Sequence, residues 1–195
     1  MLVSDEIHCD LVLDDVAHVP AAACSAEAAA ITVTLMSPSK TFNLSGLGCA
    51  CAIVPDPGLR GAFARSTRGI VPDPALLALV AAEAALRHGE PWRLALLDHL
   101  RSNRDFLETF VRERLDGVRM DHVEATYLAW LDVSALGARD AGSRFEEHGV
   151  GLSDGTAFAA DEGTHLRLNF GCSRATLEEA CVRMERAVSA LRERG

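Results

Sequence analysis

Two short apolar runs, ITVTLM at 31–36 and GLGCACAIV at 46–54, constrain the fold of this chain most tightly. The first is β-branched, and the second is closed by a turn at Pro55-Asp56-Pro57-Gly58. Runs of this length read as strands buried on both faces, which belong to a parallel or mixed sheet covered by helices. Cys49 and Cys51 alternate along the second run and read as buried small hydrophobes. Leu2-Val3-Ser4 reads as the end of a further strand, followed by the polar residues Asp5, Glu6, His8 and Asp10.

Helical signals follow. After Pro74, the segment ALLALVAAEAALRHG predicts a helix that stops at Gly89. A second helix is predicted over 91–115, with Leu94, Leu97, His99, Leu100, Phe106, Phe110 and Val111 on one face. TYLAWLDVS (126–134) and HLRLNFGC (165–172) read as strands of one small sheet, and 175–193 as a closing amphipathic helix. Repeats and low-complexity linkers are absent from the sequence. The fold class is therefore α/β, with residues 1–88 forming part of an α/β layer and residues 89–195 a smaller α+β unit.

Composition narrows the function classes. A net charge of −9 and the lack of any basic run argue against a nucleic-acid surface. No apolar stretch is long enough to span a bilayer, and the first residues do not read as a signal peptide. The six cysteines form neither a CxxC pair nor a Cys/His cluster of zinc-ligand spacing, so no metal site is expected and the setting reads as reduced and cytoplasmic.

Of the 19 Lys and Arg residues, only Lys40 is a lysine. It follows the first apolar run and lies among Ser37, Ser39, Thr41 and Ser45. An amine held partly out of water gives up its proton more readily and can attack a carbonyl to form a Schiff base. Hydroxyls one and three residues earlier can hold a phosphate while the amine reaches an aldehyde, which is what pyridoxal phosphate (PLP) requires. That cofactor also needs an acid at its pyridine nitrogen, and Asp5, just beyond a strand, suits the task. Arg167, on the alternating strand HLRLNF, offers a planar fork for a substrate carboxylate. Each residue also has an ordinary reading: a surface lysine, a turn aspartate, a solvated strand arginine.

The segments VSDEIHCDLV, SPSKTFNLSGLG, LRGAF, HGEPW, EATYLAWLD and HLRLNFGC, in this order, resemble the fold-type I PLP enzymes. Within them the chain is most similar to the MalY/PatB-type cystathionine β-lyases, the cysteine–S-conjugate β-lyases. SDEIH and SKTFN, with Asp5 and Lys40 about 35 residues apart, carry the branch. Aminotransferases of the same superfamily tend to have DEVY and SKTFGLAGLRIG. Here His8 stands at the Tyr position and Gly48 at that of the second Arg, which removes one phosphate-binding group.

The resemblance implies roles. Lys40 forms the Schiff base with PLP and then removes the substrate α-proton. Asp5 pairs with the pyridine nitrogen, Ser37 and Ser39 lie around the phosphate, and His8 faces the cofactor. Arg167 binds the α-carboxylate of a small amino-acid thioether. The reaction implied is β-elimination of cystathionine or another cysteine S-conjugate to a thiol, pyruvate and ammonia. The resemblance covers the C-terminal half of such enzymes, which are roughly twice this length. The expectation is therefore a fragment or a half-protein, working as a homodimer or with a complementing N-terminal half. An aminotransferase on the same fold and a non-catalytic remnant acting as a binding or regulatory module are the alternatives.

Overall fold

The computed structural model describes residues 1–158, 160–161 and 163–192. The chain divides into two compact units, Met1–Leu97 and the residues from Asp98 onward. The division falls within one long helix, whereas the sequence signals drew it at 88/89. The Gly89 break is local, and the helix after it runs unbroken from Glu90 to Arg114.

The first unit holds a three-stranded mixed sheet in the order β1 (Leu2–Asp5), β2 (Thr32–Met36), β3 (Cys51–Ile53). β1 and β2 are parallel, with Val3 opposite Val33 and Asp5 opposite Leu35, and β3 returns antiparallel to β2. Thr32, Val33 and Thr34 are all buried, so β2 is covered on both faces. The second apolar run is shorter as a strand than expected. Residues 46–50 form bends and coil, Cys51 is exposed and Ile53 is half exposed, so the expectation of a buried strand over 46–54 does not hold. Nor are Cys49 and Cys51 both buried small hydrophobes: Cys49 is half-buried and Cys51 exposed. The glycines at 46 and 48 explain this, since they weaken strand pairing and leave no side chains to pack.

Four helices belong to this unit wholly or in part: α1 (Ala26–Ile31), α2 (Pro57–Thr67), α3 (Leu76–His88) and the start of α4 (Glu90–Arg114). Ser25 caps α1 by accepting from Ala28 N at 3.1 Å. The Pro55–Gly58 segment, expected as a plain turn, is a helix start: Asp56 accepts from Leu59 N at 2.7 Å and Pro57 takes the first position, where its missing N–H costs nothing. Only Ala78 and Ala82 of α3 are buried, while Leu76, Leu77, Leu79, Val80 and Leu86 are exposed.

The second unit is a four-stranded antiparallel sheet in the order β4 (Arg119–Met120), β5 (Leu128–Asp132), β7 (His165–Asn169), β6 (Ser153–Asp154). As expected, 126–134 and 165–172 supply paired strands of one sheet, though the strands are shorter than those ranges. Ala129, Leu131, Leu166 and Leu168 point to one face and are buried. Leu100, Leu107 and Val111 of α4, with Leu115 just beyond its end, and Leu177, Cys181, Met184 and Val188 of α6 (Arg174–Arg192) are buried at helical spacing. Residue 193, expected in α6, lies outside the described residues. A short helix, α5 (Ala141–Glu147), buries Phe145. Each such side chain contributes about 1.5–3 kcal/mol on burial. Asn103, fully buried on α4, donates to the carbonyls of Phe170 (3.0 Å) and Cys172 (2.9 Å), satisfying the chain just after β7.

Candidate active site

Asp5 is the last residue of β1, and the ladder runs one residue further through Glu6 N to Leu35 O (3.0 Å). The chain then turns sharply, through Cys9 N to Glu6 O and Leu11 N to His8 O, both 3.0 Å. Asp5 Oδ1 accepts from Ile7 N at 3.3 Å. Glu6 is buried and serves as the anchor of this corner: its carboxylate accepts from Ser4 Oγ (2.9 Å), His18 Nε2 (2.8 Å) and Ala21 N (3.0 Å). Burial pushes the Glu6 carboxyl up, but the hydrogen bonds from His18, Ala21 and Ser4 outweigh it and hold the group below its ordinary value. The buried carboxylate thereby ties the loop ahead of α1 to the end of β1.

β2 delivers the second set. Ser37 Oγ lies 2.9 Å from Ser39 Oγ and 2.7 Å from Cys49 O. The carbonyl can only accept, so the single Ser37 proton goes there and the Ser39 hydroxyl is free to donate to Ser37. Ser39 N also donates to Ser37 Oγ at 3.2 Å. Phe42 N to Pro38 O (2.9 Å) and Leu44 N to Ser39 O (3.0 Å) wind residues 38–44 into a helical turn that carries Lys40. Thr41, fully buried, fastens that turn: its hydroxyl reaches Asp10 Oδ2 at 3.5 Å and its carbonyl accepts from Trp92 Nε1 at 3.4 Å. Gly89 leaves room for Phe42, since a Cβ there would stand 2.4 Å from the phenyl ring.

A cavity of about 790 Å³ opens beside these elements within the first unit. Asp5, Ser37, Ser39, Gly48, Cys49 and Cys51 line it, together with Phe63, Thr67, Pro72 and Pro74. Among the expected site residues the cavity thus gathers Asp5, Ser37 and Ser39. Lys40 and His8 are not in its lining. Lys40 is half-buried, and its amine makes no hydrogen bond or ion pair among the described residues. His8 feels both other groups. Burial pushes its imidazole below the ordinary histidine value, the Lys40 charge pushes it further, and the Asp5 carboxylate opposes them. The ring is therefore held neutral at pH 7.

Arg167 belongs to the second unit, on the face of the sheet away from its core. Its register partners are Trp130 on β5 and Ser153 on β6. The guanidinium lies 4.2 Å over the Phe158 ring, with Nη2 donating to Ser153 Oγ at 3.4 Å. The Glu6–His18 bond, the cavity-lining cysteines and Phe158 have no signal in the sequence, because the role of each depends on neighbours distant along the chain.

The family described as aminotransferase class I and II matches residues 1–184. Cystathionine β-lyase PatB of Bacillus subtilis is 40% identical over 192 residues, covering 96% of this chain and 50% of that protein. The crystal structure of OvoB superimposes with a TM-score of 0.92 at 51% identity, over 96% of this chain and 49% of that one. Cystalysin from Treponema denticola, whose crystal structure contains PLP, superimposes with a TM-score of 0.92 at 26% identity over 98% and 50%. The chain spans about half the length of the relatives it matches.

Proposed function

Since this chain belongs to the aminotransferase class I and II family, we propose that it is the lysine-bearing part of a PLP-dependent C–S β-lyase that converts cystathionine or another cysteine S-conjugate to a thiol, pyruvate and ammonia. The grouping of Asp5, from the end of β1, with Ser37 and Ser39, from the segment that carries Lys40, around one cavity supports this reading most directly. The donor set suits PLP: a carboxylate for a pyridinium nitrogen, paired hydroxyls for a phosphate, and an amine unengaged by protein for an aldehyde.

When bound, the cofactor supplies the electron sink that lets a proton leave the substrate Cα. Asp5 holds the proton on the ring nitrogen. Ser39 would donate its hydroxyl proton to the phosphate, beside Ser37, whose own proton is held by Cys49 O. Lys40 Nζ would hold the cofactor through its aldehyde and would be the base that accepts the Cα proton. His8 stays neutral near Lys40 and so adds no second positive charge. Arg167 grips the substrate α-carboxylate as a planar fork.

No helix among the described residues is long and apolar enough to cross a membrane, and we place the protein in the cytoplasm. The apolar side chains exposed on the first unit suit cover by more polypeptide, either a second copy of the chain or a chain carrying the rest of the relatives' length. The test supplies PLP, cystathionine and that complementing polypeptide, and follows products. Pyruvate and free thiol are expected. Amino transfer that depends on a keto acid would make the protein an aminotransferase, and neither product, with no visible absorbance from added PLP, would leave a non-catalytic module.

A further inference from the structure

We propose that Phe158 is the residue that positions Arg167 for carboxylate binding, holding the guanidinium flat by its ring face. The proposal rests on the reading of Arg167 as the carboxylate-binding residue. Three observations carry it. First, Arg167 is half-buried yet forms no ion pair among the described residues, whereas Arg87, Arg93, Arg101, Arg114 and Arg144 each meet a carboxylate. Among the described residues no acid balances its charge, so its in-plane donors remain for one. Second, its guanidinium carbon stands 4.2 Å over the Phe158 ring, a stacking distance that fixes the plane of the fork without using any N–H. Its one hydrogen bond among the described residues, from Nη2 to Ser153 Oγ, is long at 3.4 Å and sets the rotation within that plane.

Third, the ring beneath is itself held. Phe158 meets Trp130 edge-on at 5.9 Å, and Trp130 stacks on His165 at 5.4 Å. Trp130 and Arg167 are register partners on adjacent strands, so the sheet fixes the distance between the fork and the wall that braces its support. Arg174 provides the contrast within the same unit. It also lies over a ring, that of Phe106 at 4.6 Å, but its Nη2 is taken up by Ser102 O and Oγ, at 2.5 and 2.6 Å, and its Nη1 is buried where no ligand reaches it. Stacking alone does not make a site. Stacking with the in-plane donors left over does.

The experiment uses the full chain and side-chain NMR of the Arg167 Nε–H and the Trp130 indole N–H. L-alanine is the probe, and L-alaninamide, which lacks the carboxylate, is the control. In the wild type, alanine shifts both resonances and the amide does not. Phe158→Leu weakens alanine binding about threefold to thirtyfold, while Phe158→Tyr stays within about twofold. Phe158→Met replaces Phe158→Leu should the latter lose a cooperative melt. Binding as in wild type by the Phe158 variants, with Arg167→Lys defective, overturns the positioning role and leaves the Arg167 reading standing. A weakening that alaninamide shares equally overturns it too, since it marks a general defect. No alanine-dependent shift in the wild type, or one indifferent to Arg167→Lys, removes the reading of Arg167 and the proposal with it.

Discussion

The two units are nearly equal in length and differ in how they treat apolar side chains. Among the described residues, seven of the buried apolar side chains lie in the first unit and nineteen in the second. The exposed large apolar residues run the other way, with seventeen in the first unit and three in the second. A sheet backed by two amphipathic helices closes a core of its own. A three-stranded sheet flanked by α3, a helix apolar nearly all round, does not. The unit with the sparser core is also the one that holds the cavity, Asp5 and Lys40. The lesson is that most of the residues proposed to carry the chemistry sit on the layer that most needs further cover, so on that proposal burial and site assembly are coupled in the first unit.

The sharpest way to break this comparison is at Lys40. Incubation with PLP followed by borohydride should label the Lys40 peptide of the wild type and leave the corresponding peptide of Lys40→Arg unlabelled, any label on the N-terminal amine being common to both, because a guanidinium keeps its proton and does not attack an aldehyde. Mass spectrometry reads the outcome, and a label retained on that peptide in Lys40→Arg removes the first unit's claim to the chemistry.

The next effect is energetic. Leu131→Ala, at a fully buried position of β5, should cost about 2–5 kcal/mol in denaturant unfolding. Leu77→Ala, at a position 72% exposed on α3, should change stability by less than about 0.5 kcal/mol in the chain alone. Equal costs at the two sites would erase the contrast. A Leu77→Ala cost that rises when the complementing polypeptide is present would sharpen it.

A smaller effect is set by pH. Glu6 is depressed below 4.5 in the folded chain, with its hydrogen bonds outweighing burial. A depressed carboxyl contributes stability that is fully present above its unfolded value and is lost as pH falls through the folded one. Amide exchange at Ala21 should therefore accelerate as pH falls below 4.5, while amides of β5 stay protected. His18→Ala should move that onset upward.

The smallest concerns His8, whose imidazole should titrate below the ordinary 6.5 in an NMR series. Lys40→Gln removes a positive charge and should move the inflection up. An unchanged midpoint would mean that the lysine does not act on His8.

The sequence was most legible where periodicity was long. HLRLN and LAWLD alternate cleanly because one face meets the core and the other does not, and α3, α4 and α6 lie within a few residues of the ranges their patterns predicted. It was least legible at 46–54. There an apolar run suggested burial, but Gly46 and Gly48 free the chain to bend, and the run lines a cavity instead of filling a core. The helix α2 was hidden for the opposite reason: Pro57-Gly58 looks like a turn until Asp56 is seen capping Leu59. Of the proposed site residues, residue types and spacing brought Asp5, Ser37, Ser39, Lys40 and Arg167 to notice, and the family resemblance added His8. Phe158 could not be noticed, because a single aromatic on a short turn acquires meaning only from the guanidinium above it.

The cysteines, finally, make the molecule a two-channel clock. Burial, the main cause, pushes the Cys181 thiol up to about 12, so at neutral pH it is almost wholly in the protonated form, which does not react with alkylating agents. Cys24 and Cys51 are exposed. A thiol reagent therefore marks the first unit at once, while Cys181 waits for α6 to come away from the second core. The lag between the two signals measures how long that core outlasts any disturbance of its neighbour.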